Sequence, residues 1–211
     1  MSDVSKYLPL SQRRGGDESG VDGNWAPRLS AVVARLVDTL DHADPVLWDA
    51  PTLQTGVDVR SCTVDLVTRL RSTRVQRLRS RLGMPRPTQP VADPIGALRE
   101  VSAEPRKRAI GDLDAAVVAT LDIATSAGVD VDLDPITLGA VAVHRALTAP
   151  LAIRSVLAGR ELRATDGEWT VGRGIPLDAP GPEIVLFLAG RTGLPSHRPA
   201  DNGERPQPAA E

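Results

Sequence analysis

The chain has 211 residues, 41% hydrophobic and 25% charged, with a formal net charge of −2. That is enough for one or two small domains with a real core, and it gives no global field that would gather nucleic acid or membrane. No stretch approaches the roughly 18 apolar residues of a bilayer span, and a single cysteine, Cys62, excludes an internal disulfide framework or a multi-cysteine zinc site. The first 20 residues lack an apolar core of signal-peptide length, so a cytoplasmic protein is expected. Of the 25 basic residues only Lys6 and Lys107 are lysines. Aromatic residues are confined to Tyr7, Trp25, Trp48, Trp169 and Phe187, too few for a base-stacking nucleic-acid module.

In chain order, residues 1–25 are polar and aperiodic and read as a disordered lead-in. A first helix is expected from about Pro27 to Asp41, with Ala31, Val32, Leu36, Val37 and Leu40 on one face. Asp44-Pro45 breaks it, and a short connection carries Trp48 to a turn at Gly56. A second helix is expected from Asp58, its cap, to Leu82, with Val59, Cys62, Leu66, Leu70, Leu78 and Leu82 as its stripe. A Pro-rich linker follows at 84–94, then a broken stretch at 95–107 with room for a short helix. A third helix spans Ile110–Ala127, burying Leu113, Val117, Thr120, Leu121 and Ala124 and stopped by Gly128. A fourth spans Pro135–Leu147, and four helices with mostly short connections suggest an antiparallel bundle over 26–150.

Beyond Pro150 the pattern changes. LAIRSVLAG reads as a short helix, ELRAT and EWTVG as a hairpin about Asp166-Gly167, and GPEIVLFLAGR as an apolar helix. These make a small α+β domain at 151–192, followed by a Pro-rich tail at 193–211 expected to be disordered. The fold class expected is therefore mainly α with a small α+β part.

Two segments together resemble a known family. DAPTLQTGVDVR at 49–60, with Ala50, Pro51, Thr52, Leu53, Gly56, Val59, Arg60 and Leu66, is similar to the APTxCxGWxVRDLxxHL pattern of the mycothiol-dependent maleylpyruvate isomerase family, within the DinB-like four-helix superfamily. LRATDGEWTVGRG at 162–174 and GPEIVLFLAGR at 181–191 resemble that family's C-terminal hairpin and helix. The resemblance implies a helical bundle holding one divalent metal through a histidine on the second helix and a Glu/His pair on the third. It also implies that the metal activates the thiol of mycothiol for cis–trans isomerisation, and that the C-terminal unit lends an arginine to the cleft.

The departures from that pattern concern the metal. The second-helix histidine falls on Asp65; the Glu and His of ExxxHxxDxxxxxG fall on Ala115 and Ala119, while Asp122 and Gly128 fit. The family's Cys and Trp become Gln54 and Val57. A catalytic metal needs about three protein ligands and an open position, and alanine offers no lone pair. The expectation is a divergent member without a metal or other cofactor, acting as a binding or regulatory scaffold. The alternative is a mycothiol-dependent isomerase or thiol transferase with a rebuilt zinc site drawn from Cys62, Asp65, Asp122 and His144. Against it stand simpler readings: Cys62 as a small core residue, His144 as a satisfied histidine, Asp65 as a solvated or arginine-paired carboxylate. His42 and His197 are expected at the surface.

Arg69, Arg71, Arg74, Arg77, Arg79 and Arg81 lie within thirteen residues without an acid, and Arg86 follows. Arginine binds carboxylate and phosphate bidentately, so this face fits an acidic protein or an anionic small molecule; nucleic acid, held through phosphates alone, is the less favoured partner. It reads equally as a solvated face balanced by Glu104, Asp112 and Asp114 on neighbouring elements. VGRGIP lacks the Lys-Ser/Thr end of a phosphate loop. Trp169 is expected to cover the small sheet, and Arg191 to close the last helix. Substrate and oligomeric state are not legible.

Overall fold

A computed structural model of the chain describes residues 23–72 and 91–195. Within them the molecule is mainly helical, with seven α-helices and a three-stranded sheet near the C-terminus. α1 (Ala26–Asp41) begins with proline in its first turn and buries Leu29, Val32, Val33, Leu36, Val37 and Leu40. Ala31, expected on the buried face, is exposed: the stripe runs through Leu29 and Val33 instead, two positions to either side. A 3-10 turn (Pro45–Asp49), capped by Asp44 accepting the Val46 N–H at 2.8 Å, leads into the loop before α2.

α2 (Val59–Arg71) is capped by Asp58, whose carboxylate accepts the Ser61 N–H at 2.7 Å. Its end corrects the sequence reading, which carried one helix to Leu82. Ser72 is extended (φ −66°, ψ 135°), and its hydroxyl donates back to the Thr68 carbonyl at 2.6 Å. The Leu70 carbonyl, which a further turn would occupy, accepts instead from the guanidinium groups of Arg106 and Arg108. Two arginines from elsewhere in the chain thus satisfy an end carbonyl of α2. Residues 73–90, with Arg74, Arg77, Arg79, Arg81 and Arg86, lie outside the described residues.

α3 (Pro94–Ala103), capped by Asp93, packs against α1 and α2. α4 (Ile110–Ala127) is the centre of the molecule. Every residue from Asp112 to Ala124 except Ala115 is buried, because α1, α2 and the helices at Pro135–Thr148 and Gly181–Leu188 all lean on it. It ends at Gly128 in the left-handed region (φ 66°), which glycine adopts without a Cβ penalty. α5 (Pro135–Thr148), capped by Asp134, packs on α4 and on the C-terminal helix, while α3 joins α1 and α2. The chain then bends by 114° into α6 (Leu151–Leu157), and no single described helix is long and apolar enough to cross a membrane.

β1 (Arg160–Ala164) and β2 (Thr170–Gly172) form the expected hairpin, with Leu162 opposite Val171. The sequence reading did not include β3 (Ile175–Ala179), which runs parallel to β1 and gives the sheet the order β2-β1-β3. Getting from β2 to the far side of β1 requires the chain to cross close under the start of β1. Gly172 (φ 87°) and Gly174 (φ 136°) make that crossing: a Cβ on Gly172 would strike the Arg160 carbonyl, and one on Gly174 the Gly159 carbonyl. The glycines of VGRGIP therefore serve a backbone crossing. α7 (Gly181–Leu188) follows, its first N–H donated to Asp166 Oδ1 at 2.8 Å. Trp169 does more than cover the sheet. Its indole lies where a Cβ on Gly139, Gly167 or Gly181 would come within about 3 Å, so three glycines admit it between α5, the hairpin and α7.

Candidate functional site

The loop before α2 is a compact turn. The Thr52 N–H and hydroxyl both reach the Val57 carbonyl, at 2.9 and 2.8 Å, and Val59 N–H returns to the Ala50 carbonyl at 3.0 Å. The turn is fastened to the end of α4 by the Ser126 hydroxyl, which donates to the Pro51 carbonyl at 2.8 Å. It holds Gln54 over the place where α2, α4 and the segment after α7 converge.

At that convergence Asp122 is 1% exposed. Its Oδ2 accepts from Arg191 Nε at 2.9 Å, and Arg191 Nη2 donates to Gln54 Oε1 at 2.7 Å. Asp122 Oδ1 is buried and has no hydrogen-bond partner. Burial raises the Asp122 carboxyl above the usual carboxylate range, against the opposing pull of Arg191 and, more weakly, Arg145. About two helical turns toward the start of α4, Arg145 from α5 pairs with buried Asp114 at 2.5 Å. The result is an electrostatic network of two arginine–carboxylate pairs, Arg191–Asp122 and Arg145–Asp114, coupled by the weaker pull of Arg145 on Asp122. Arg191 therefore does more than the expected closing of the last helix: its backbone N–H closes the α7 end on the Leu186 carbonyl, and its guanidinium reaches into the helical layer.

Ala115, Ala119 and Asp122 share one face of α4, at spacings of four and three. The two alanines place methyl groups where the family resemblance would put a carboxylate and an imidazole. Asp65 on α2 is exposed. Among the described residues no three His, Cys, Asp or Glu side chains come together as a metal-binding group, so Cys62, Asp65, Asp122 and His144 are not assembled into one.

Cys62 stands beside Asp122. Burial, then the nearby Asp122 carboxylate, pushes its thiol up to about 12 from 9.0. A nucleophilic cysteine needs the opposite shift. At pH 8 the thiolate fraction falls roughly a thousandfold relative to an unperturbed thiol. Iodoacetamide should alkylate Cys62 at least about a hundredfold more slowly in the native protein than in urea. Mass spectrometry of timed samples reads this, and equal rates would contradict the buried placement.

The described part of the arginine run is already engaged. Arg69 donates to the Gly111 carbonyl at 2.9 Å, and Arg71 pairs with Glu100 at 2.7 Å. Two of the acids expected to balance the run have other partners: Glu104 pairs with Arg106 and Arg108, and Asp114 with Arg145. His42 is exposed at the end of α1, while His197 lies outside the described residues. Sequence reasoning missed Gln54 and Arg145 as members of the network. The signal for Gln54 was its place at the family's cysteine position; Arg145 had none.

No family model matches the chain, and neither a curated protein nor a solved structure gives a significant match.

Proposed function

We propose that the chain is a divergent DinB-like protein, related to the mycothiol-dependent maleylpyruvate isomerases, in which an arginine–carboxylate network stands where those enzymes hold their metal. On this reading it is a binding or regulatory scaffold built on a helical bundle. The observation that carries the proposal is the α4 face Ala115–Ala119–Asp122. Two positions there lack any donor atom, and the third is committed to Arg191. The network offers no activated nucleophile: the one thiol is driven away from its reactive form. It does offer a buried oxygen, Asp122 Oδ1, able to accept one hydrogen bond from a bound group.

Elemental mass spectrometry on untagged protein purified without chelator tests this. The expected result is below about a tenth of an equivalent of zinc, iron, manganese or nickel, even after incubation with zinc, since a lone buried carboxylate is a poor site. One metal per chain, lost on changing Asp65 or Asp122, overturns the proposal in favour of a thiol-dependent isomerase or transferase.

A further inference from the structure

A second concavity lies at the other end of the α2 entry loop. The C-terminal end of α1, the 3-10 turn and the end of α4 enclose a groove of about 770 Å³. Its walls include the small apolar side chains Ala43, Ala50 and Ala127, with Leu47, 8% exposed, among them. Val46 and Val129 also line it, yet they are 75% and 46% exposed, so the apolar surface continues outward past the groove. Side chains of this size are normally covered when several lie together.

The charges lining the groove have one sign. Asp38, Asp44 and Asp130 all line it, and no lysine or arginine does. The one basic side chain there is His42, whose ring nitrogen Nδ1 lies 2.8 Å from the Asp38 carbonyl oxygen and 3.4 Å from its carboxylate. Asp44 spends one oxygen on the Val46 N–H, leaving the rest of its carboxylate to water. An apolar cleft ringed by carboxylates selects cations carried on an apolar body. Val46 and Val129 at its rim carry the apolar lining outward, so an extended occupant covers more of it than a compact one.

We propose that this groove docks a basic amphipathic segment of a partner protein. Aliphatic side chains of the segment sit against Leu47, Ala43 and Ala127, and its arginines or lysines meet Asp38, Asp44 and Asp130. The proposal names a partner class for the scaffold, but none of these carboxylates belongs to the Asp122 network. It therefore stands or falls separately from the metal measurement.

The test uses the full chain and a fluorescein-labelled peptide of about 18 residues, with leucines at helical spacing and arginines between them. A second peptide carries glutamate in place of every arginine. Fluorescence anisotropy at low salt should show saturable binding of the arginine peptide alone. The double variant Asp38→Asn/Asp130→Asn should raise Kd about tenfold, equivalent to about 1.4 kcal/mol. Ala127→Phe, which fills the groove and leaves every charge in place, should raise it by a similar factor. Asp178→Asn/Glu183→Gln, which removes two exposed acids from β3 and α7, should change it less than about twofold. Three results overturn the proposal. One is an absence of binding. Another is equal weakening by the groove and control variants, which marks simple attraction to an acidic surface. The third is self-association abolished by Ala127→Phe, which makes a second copy of this chain the occupant.

Discussion

Arg191→Met is expected to destabilise the folded protein by about 3 kcal/mol at pH 7, with the deficit shrinking as the pH is lowered toward 4. The cost arises because the substitution keeps the aliphatic stem but strands a carboxylate that is 1% exposed. Asp122 loses its only hydrogen-bonded counter-ion, and Gln54 loses its donor. The sign of the pH dependence follows from the direction of the shift. In the native protein burial already raises the Asp122 carboxyl above 3.8, so the folded state takes up a proton before the unfolded state does. The penalty of burying the charge is then fully present above the folded pKa. It declines as the pH falls from there toward the unfolded value. Without Arg191 the folded pKa rises further, so the penalty at neutral pH grows and its relief starts at a higher pH. Urea denaturation at several pH values reads both effects. Asp122→Asn in the same background should remove most of the pH dependence. A deficit that stays constant from pH 7 to 4 would show that Arg191 acts by packing alone.

Arg108→Met should cost a similar amount, about 3 kcal/mol, but without that pH dependence. Arg108 is 2% exposed and donates to the Leu70 carbonyl at 2.7 Å, the Val101 carbonyl at 2.9 Å and Glu104 Oε2 at 3.2 Å. Its backbone adds to the junction: the N–H donates to Asn24 Oδ1 and the carbonyl accepts from Trp25 N–H, each at 3.1 Å. One residue thereby joins the start of α1 to the ends of α2 and α3. Methionine matches the stem and supplies no donor, so end carbonyls of two helices lose a buried partner, at about 1–3 kcal/mol for each group left unsatisfied. Two such groups together would cost about 2–6 kcal/mol; Arg106 still serves the Leu70 carbonyl and holds the loss to about 3. Arg108→Lys should recover only part of the loss, because a single ammonium replaces a planar fork. Arg71→Ser is the control: its pair with Glu100 is 44% and 75% exposed, and pairs of that kind contribute under about 1 kcal/mol. A thermal midpoint for Arg108→Met no lower than that of Arg71→Ser would sink the argument.

What was legible in the sequence was what local chemistry determines. α1, α4 and α5 begin and end within a residue or so of where caps, prolines and Gly128 put them, and the hairpin about Asp166-Gly167 is present. The stop of α2 was not legible: the apolar spacing runs on past Ser72, and the arginines that hold the Leu70 carbonyl, Arg106 and Arg108, come more than thirty residues downstream. β3 was missed for a different reason. IPLDA is an edge strand with Ile175, Pro176 and Asp178 exposed, so burial imposes no alternation on it, and a proline is tolerated there. The site was half visible. Asp122 and Cys62 were singled out, and Ala115 and Ala119 marked where donors are missing. The arginines that complete the network come from α5 and from the segment after α7, and no local pattern announces them.

The Arg191 contacts span long stretches of chain: 69 residues to Asp122 and 137 to Gln54. The β-sheet, by contrast, closes within the twenty residues from Arg160 to Ala179. Closing a long loop costs entropy before any contact returns it, so the guanidinium clasp belongs among the last features to assemble during folding. A late contact adds little to the speed of folding and acts mainly as a brake on unfolding. The clasp therefore sets how long the C-terminal unit stays seated on the helices once it has arrived.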